Sequence, residues 1–230
     1  MSLFNLEKEM APVTIKWLKN SGLYVKEEFR TPEGVCDIVA YKFKSRAINK
    51  RLERGLVGNM TSELQISIWA YVVSFADSGC RRERLLDFFS KGFDRLDVLT
   101  SLEKLIKKGF VETDLQGFLF AENSWFPLTD KIVSIELKLK NVNEALSQAK
   151  RYSYFSDYSY IGMPLDFSES FVFEKKKMVF EESGIGLLGV DKNTVKVLIP
   201  AVKSKRPDRA SRLAAIRASE IFWKDSVSIL

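Results

Sequence analysis

Apolar residues recur at helical spacing near the start of the chain: Leu6, Met10, Val13 and Trp17 share one stripe, and Gly22 follows it. The pattern predicts a helix over residues 5–20, with Pro12 disturbing its first turns. Alternation then takes over. YVKEEFR and VCDIVAYKF read as two short strands joined by the turn signal TPEG, a hairpin whose second strand carries Asp37. After a basic run at residues 42–54 the helical rhythm returns in TSELQISIWAYVVSFAD, CRRERLLDFFSK and DRLDVLTSLEKLIKKG, followed by FVETDLQGFLFAE, a small hairpin turning at Gln116 and Gly117. Strand grammar reappears in KIVSIELKLK, then the amphipathic helix NVNEALSQAKRYSYF, a strand near YSYIGMP, a short helix around residues 168–177, the strands IGLLGVD and VKVLIPA, and a helix from about residue 208.

Three helices and a two-stranded wing over residues 56–125 describe a winged helix. In its third helix Val98, Leu102, Leu105 and Ile106 lie on one face, and Ser101, Lys104 and Lys108 lie opposite. With that segment lifted out, residues 1–55 and 126–230 form one α/β layer fold into which the winged helix is inserted. Trp125 and Phe126, near the second junction, are expected to pack the two domains together.

Composition narrows the chemistry. The 230 residues are 46% hydrophobic, enough for one large or two small cores, and no apolar run approaches the roughly 18–20 residues of a membrane span. The N-terminal MSLFNLEKEM is too acidic for a signal peptide, so the cytoplasm is the expected compartment. Cys36 and Cys80 form no metal-ligand spacing and read as reduced, buried thiols. The chain has no histidine, which excludes Ser-His-Asp and Cys-His nucleophilic sites and histidine-ligated zinc. Chemistry must come from carboxylates, lysines or an oxygen-held metal. A net charge of +6, concentrated in residues 42–54 and 203–217, favours a polyanionic partner.

The stretch KIVSIELKLK puts Glu136 and Lys138 on one face of a strand and Ile135, Leu137 and Leu139 on the other. Asp37 likewise points away from Cys36 and Ile38. If those strands are neighbours, Asp37, Glu136 and Lys138 converge. Two carboxylates and the Leu137 carbonyl could then ligate a hard cation such as Mg²⁺, beside which a lysine orients or helps deprotonate water and offsets charge on a phosphate. The bland alternative is a solvated strand face.

These residues, in this order, resemble the PD-(D/E)XK phosphodiesterases of the restriction-endonuclease-like superfamily. The matches are Asp37 in GVCDIVAY, Glu136 and Lys138 in SIELK, a helix glutamate in LEKEM, and Gln148 and Tyr152 in QAKRY, similar to a RecB-type Gln-x-x-x-Tyr motif. The late strand IGLLGVD is similar to the same position in Mrr-like members. The resemblance covers residues 1–45 and 128–200 and implies a mixed sheet flanked by helices, Mg²⁺ or Mn²⁺ held by Asp37, Glu136 and the Leu137 carbonyl, and hydrolysis of DNA phosphodiesters. Cys36 stands where the superfamily often has proline. The helix acid is Glu7 or Glu9, with Glu7 preferred; either also reads as an acid at a helix N-terminus. Gln148 and Tyr152, one turn apart, suit reaching into the site, or else form a polar helix edge.

For the insertion, the expected DNA-facing residues are Thr100, Ser101, Lys104, Lys107 and Lys108 on the third helix, with Arg81, Arg82 and Arg84 on the preceding one. These lysines contact phosphates without reading sequence. A basic face of this kind also occurs on winged helices that bind proteins. The basic run at residues 42–54 is expected to link the two domains and line a substrate groove. The sequence thus predicts a metal-dependent endonuclease acting on double-stranded DNA, the alternative being a non-catalytic DNA-binding or regulatory protein on the same scaffold. A homodimer is one option for a double-strand cutter, but the sequence shows no interface.

Overall fold

The structure is a computed structural model that describes residues 4–32, 34–121, 126–206 and 208–227. A 3₁₀ turn (Glu7–Met10) leads into α1 (Ala11–Asn20), β1 (Tyr24–Thr31), β2 (Gly34–Phe43) and α2 (Ser45–Glu53). Next come α3 (Glu63–Val73), β3 (Cys80–Arg81), α4 (Arg82–Phe89), α5 (Arg95–Lys107), β4 (Glu112–Thr113) and β5 (Phe118–Phe120). Then follow β6 (Thr129–Leu137), α6 (Val142–Tyr152), β7 (Tyr158–Pro164), and α7 (Leu165–Phe167), which runs through a π-helical stretch into α8 (Glu174–Ser183). The strands β8 (Gly186–Val190) and β9 (Val195–Ile199) and the helix α9 (Arg209–Val227) complete the order. No helix among the described residues is long and apolar enough to cross a membrane.

The chain divides into two compact units, Met1–Lys42 with Asp130–Arg212, and Phe43–Thr129 with Leu213–Leu230. The first is α/β. Its six strands lie in the order β1-β2-β6-β7-β8-β9, and the sheet is mixed: β1/β2 and β8/β9 are antiparallel, β6/β7 and β7/β8 parallel. Helices cover both faces. Met10 and Leu18 pack with Ile38, Ala40, Ile135 and Leu137 on one side, while Ala145 and Ala149 of α6 and Phe180 of α8 pack with Ile161, Met163 and Leu187 on the other. Because side chains alternate along a strand, fixing Ile135 and Leu137 on the first face turns Glu136 to the second.

Helix α1 begins later than its apolar stripe predicts. Residues 7–10 wind as a 3₁₀ turn, and Pro12 falls in the first turn of the α-helix, where its missing N–H leaves no intrahelical bond unmade. The other end stops as expected. Gly22 adopts φ +74°, its N–H donates to the Lys19 carbonyl and that of Leu23 to the Leu18 carbonyl, a closure that favours glycine.

The second unit buries a core drawn from α3, α4, α5 and β5, with Ile66, Trp69, Leu85, Phe89, Leu102 and Leu119 among its members. Its three strands lie in the order β3-β5-β4. The boundaries differ from those expected at 55/56 and 125/126: residues 43–55, 126–129 and the chain from Leu213 belong to this unit. A buried ion pair explains much of the difference. Arg51 of α2 and Glu220 of α9 are both fully buried and form a two-pronged pair, one arm of which measures 3.0 Å. Glu220 also accepts the Met60 N–H at 2.8 Å, and Arg51 Nε donates to the Leu56 carbonyl at 2.9 Å. The residues read as a basic linker therefore form a helix that sends one cation into the core. Phe126 packs on Trp69 within this unit, with ring centroids 4.6 Å apart; Trp125 lies outside the described residues.

Candidate active site

Strands β2 and β6 are neighbours in the sheet, which brings together residues from opposite sides of the long insertion. The joining contact is a hydrogen bond from the Leu137 N–H to Asp37 Oδ2 at 2.7 Å, across 100 positions of sequence. Glu136 is 2% exposed, and its Oε2 is buried without a hydrogen-bond partner. Lys138 lies just past the end of β6, although its N–H still bonds the Gly162 carbonyl at 3.0 Å and so prolongs the ladder to β7. Its ammonium stands 3.3 Å from Glu136 Oε1 and 3.5 Å from Glu7 Oε2.

The electrostatics follow from burial and crowding. Desolvation, reinforced by the neighbouring Asp37 charge, pushes the Glu136 carboxyl up to about 7, even though Lys138 pulls the other way. Burial also raises Asp37, opposed by the Leu137 N–H and by Lys138. For Lys138, burial disfavours the ammonium, but Glu136, Glu7 and Glu144 outweigh it and the net shift is upward. Lys138 is therefore a firmly held cation at neutral pH.

The two helix acids separate by role. Glu7 reaches the site, and also accepts the Leu139 N–H at 3.4 Å. Glu9 turns back to take the Asn5 N–H at 2.8 Å and the Leu6 N–H at 3.4 Å, so it caps the helix start. Tyr152 is almost fully buried, and its hydroxyl donates to the Val35 carbonyl at 2.6 Å. It ties α6 to β2, and burial lifts its phenol well above the usual range, with Glu136 the next cause. Gln148, one turn earlier, has a buried Oε1 with no hydrogen-bond partner. The sequence reading missed Glu144, whose Oε1 lies 3.9 Å from the Lys138 ammonium. Its signal was the Asn141-x-x-Glu144 spacing at the start of α6: the Asn141 side chain donates to Glu144 Oε2 at 2.7 Å and accepts the Glu144 N–H at 3.4 Å, fixing the glutamate on the first turn.

Asp37 and Glu136 are the pair whose chemistry suits a hard divalent ion. The orphaned Glu136 oxygen, and the upward shift of both carboxyls led by burial, are what such an ion would relieve. Among the described residues no group of three or more His, Cys, Asp or Glu side chains is arranged to hold a metal. The Leu137 amide N–H is taken up by Asp37 Oδ2.

In the second unit, Thr100, Lys104 and Lys107 of α5 and Lys108 just past its end are exposed, and Ser101 is half-buried. Lys108 Nζ donates to the Asn59 carbonyl at 2.8 Å. Arg81 belongs to β3 and not to the helix; its guanidinium lies over the Phe118 ring, and that of Arg84 over Phe75. Arg82 pairs with Glu103 at 3.7 Å. No protein family, curated protein or solved structure matches this chain.

Proposed function

We propose that the chain is a divalent-metal-dependent endonuclease that hydrolyses DNA phosphodiester bonds, built on a restriction-endonuclease-like sheet with a winged helix inserted after β2. The observation that carries this reading is the meeting of Asp37, Glu136 and Lys138, joined through the Leu137 N–H across 100 positions. Asp37 and Glu136 would hold Mg²⁺ or Mn²⁺, which when bound supplies a Lewis acid for the phosphate and a more acidic water. Lys138, kept charged by the acids around it, orients the attacking water and offsets the negative charge that develops on the phosphate. Glu7 positions that ammonium. Tyr152 acts indirectly, by fixing the start of β2 against α6.

Support for the winged-helix reading comes from the element order, α3-β3-α4-α5-β4-β5, with β5 between β3 and β4. Helix α5 would dock on the duplex, its exposed Lys104 and Lys107 meeting phosphates. The proposal is tested by incubating duplex DNA with the protein in Mg²⁺ or in chelator. Cleavage is expected only with the ion, and Asp37→Ala and Lys138→Ala are each expected to abolish it while DNA binding persists. A protein that shifts DNA but binds neither Mg²⁺ nor Mn²⁺ would instead be a DNA-binding or regulatory module on this scaffold.

A further inference from the structure

Three large apolar side chains at one corner of the second unit face solvent. Phe88 lies on α4, Phe93 in the turn that follows and Leu96 on the first turn of α5, and they are 45%, 45% and 70% exposed. The rings form a continuous patch. Tyr71 of α3 stacks on Phe88 with centroids 4.5 Å apart, Phe88 meets Phe89 at 5.1 Å, and Phe89 meets Phe93 at 6.4 Å. Leu96 is fixed beside the turn by the Asp94 cap, whose Oδ1 accepts the Leu96 N–H at 2.8 Å. Linked aromatic rings left facing water are the composition of an association surface.

The charges around these residues decide what covers them. Between residues 84 and 97 the charged side chains are Arg84, Asp87, Lys91, Asp94, Arg95 and Asp97, three of each sign and all exposed, in a chain whose net charge is +6. A polyanion gains nothing from a balanced rim, and neither does a protein surface of one sign. A second copy does gain. In a two-fold pairing the same patch lies on both sides, so cations of each copy meet anions of the other around a shared apolar centre. Two copies that are each net positive repel at a distance, and a locally neutral face is where they approach at least cost. We propose that two copies of this chain associate through the Phe88, Phe93 and Leu96 corner, with the apolar side chains at the centre and the balanced charges at the rim. Lys104 and Lys107 lie eight and eleven residues beyond Leu96, about 12 and 16 Å further along α5, so the pairing leaves the basic half of that helix to DNA.

The test is sedimentation velocity of the full chain over a range of protein concentrations, with neither DNA nor metal ion present. The parent is expected to sediment as a dimer that dissociates on dilution. Leu96→Glu sets a carboxylate at the apolar centre of both copies, and Phe93→Lys sets an ammonium there. Each variant is expected to sediment as a monomer with its circular dichroism unchanged, since both side chains face solvent within one chain. Leu115→Glu is the control: that side chain is 107% exposed in the turn between β4 and β5, outside the patch, and its variant is expected to remain a dimer. The pairing is overturned by a parent that is monomeric at every concentration, by a folded patch variant that stays dimeric, or by dissociation of Leu115→Glu. A patch variant that keeps the parent's oligomeric state but loses duplex binding would assign the corner to DNA and also overturn it. Cleavage is scored separately, so a dimer that cuts no DNA contradicts the hydrolase reading and leaves the pairing standing.

Discussion

Replacing Glu136 with glutamine is expected to make the metal-free protein more stable, which a structural ion pair would not allow. The carboxyl rises from 4.5 to about 7 in the folded chain, with the attraction of Lys138 already acting. That rise corresponds to roughly 3 kcal/mol. The sign follows from proton binding. Below pH 4.5 both states carry the proton and the shift has no effect; between 4.5 and 7 the unfolded chain ionises while the folded one holds its proton, so this group destabilises the fold increasingly as pH rises. Above 7 the loss is complete. Glutamine resembles the protonated acid and never incurs it, so Glu136→Gln is expected to exceed the parent by about 3 kcal/mol at pH 8 and to differ little near pH 4. Urea unfolding in chelator at both values measures the difference. A variant less stable than the parent at pH 8 would show that Glu136 is retained as a partner for Lys138, and the reasoning would fail.

Three further outcomes are expected. Glu220→Ala leaves Arg51 buried without its carboxylate and is expected to lower stability by roughly 3–5 kcal/mol in chemical denaturation; a change under 1 kcal/mol would remove the pair as the fastening of α9. Tyr152→Phe loses one hydrogen bond, to the Val35 carbonyl, and is expected to cost about 1 kcal/mol while Mg²⁺-dependent cleavage persists, since the hydroxyl is occupied by the backbone; abolished cleavage in a folded variant would make Tyr152 a direct participant. Lys104→Ala and Lys107→Ala are each expected to weaken duplex binding and to reduce the log–log salt slope by about 1, with melting unchanged; an unaltered slope would remove α5 from the interface.

Much of the element order is legible in the sequence because periodicity and punctuation agree. The alternation in VCDIVAYKF, the turn before it, and Gly22 after the first apolar stripe each mark a feature found close to its expected position. The six strands of the sheet and the helices between them follow from the same signals, whereas their mixed pairing was an expectation of the resemblance alone. Long-range partners are harder. Arg51 sits in a run so rich in cations that nothing distinguishes the one facing inward, and its partner lies 169 positions later. That pair moves the unit boundary, so the boundary was illegible for the same reason. At the site, Asp37, Glu136 and Lys138 carried recognisable spacing, whereas the choice between Glu7 and Glu9 depended on where the 3₁₀ turn ended and the α-helix began. Glu144 was missed because its approach to Lys138 depends on how α6 leaves β6, a geometry that the Asn141 cap fixes only once the helix has formed.

The most direct measurement is anomalous X-ray scattering from a crystal of this protein soaked in Mn²⁺. The account predicts an anomalous peak ligated by the carboxylates of Asp37 and Glu136, lost in Asp37→Ala. A crystal with no peak between those two side chains, or with one that persists unchanged in the variant, would contradict it.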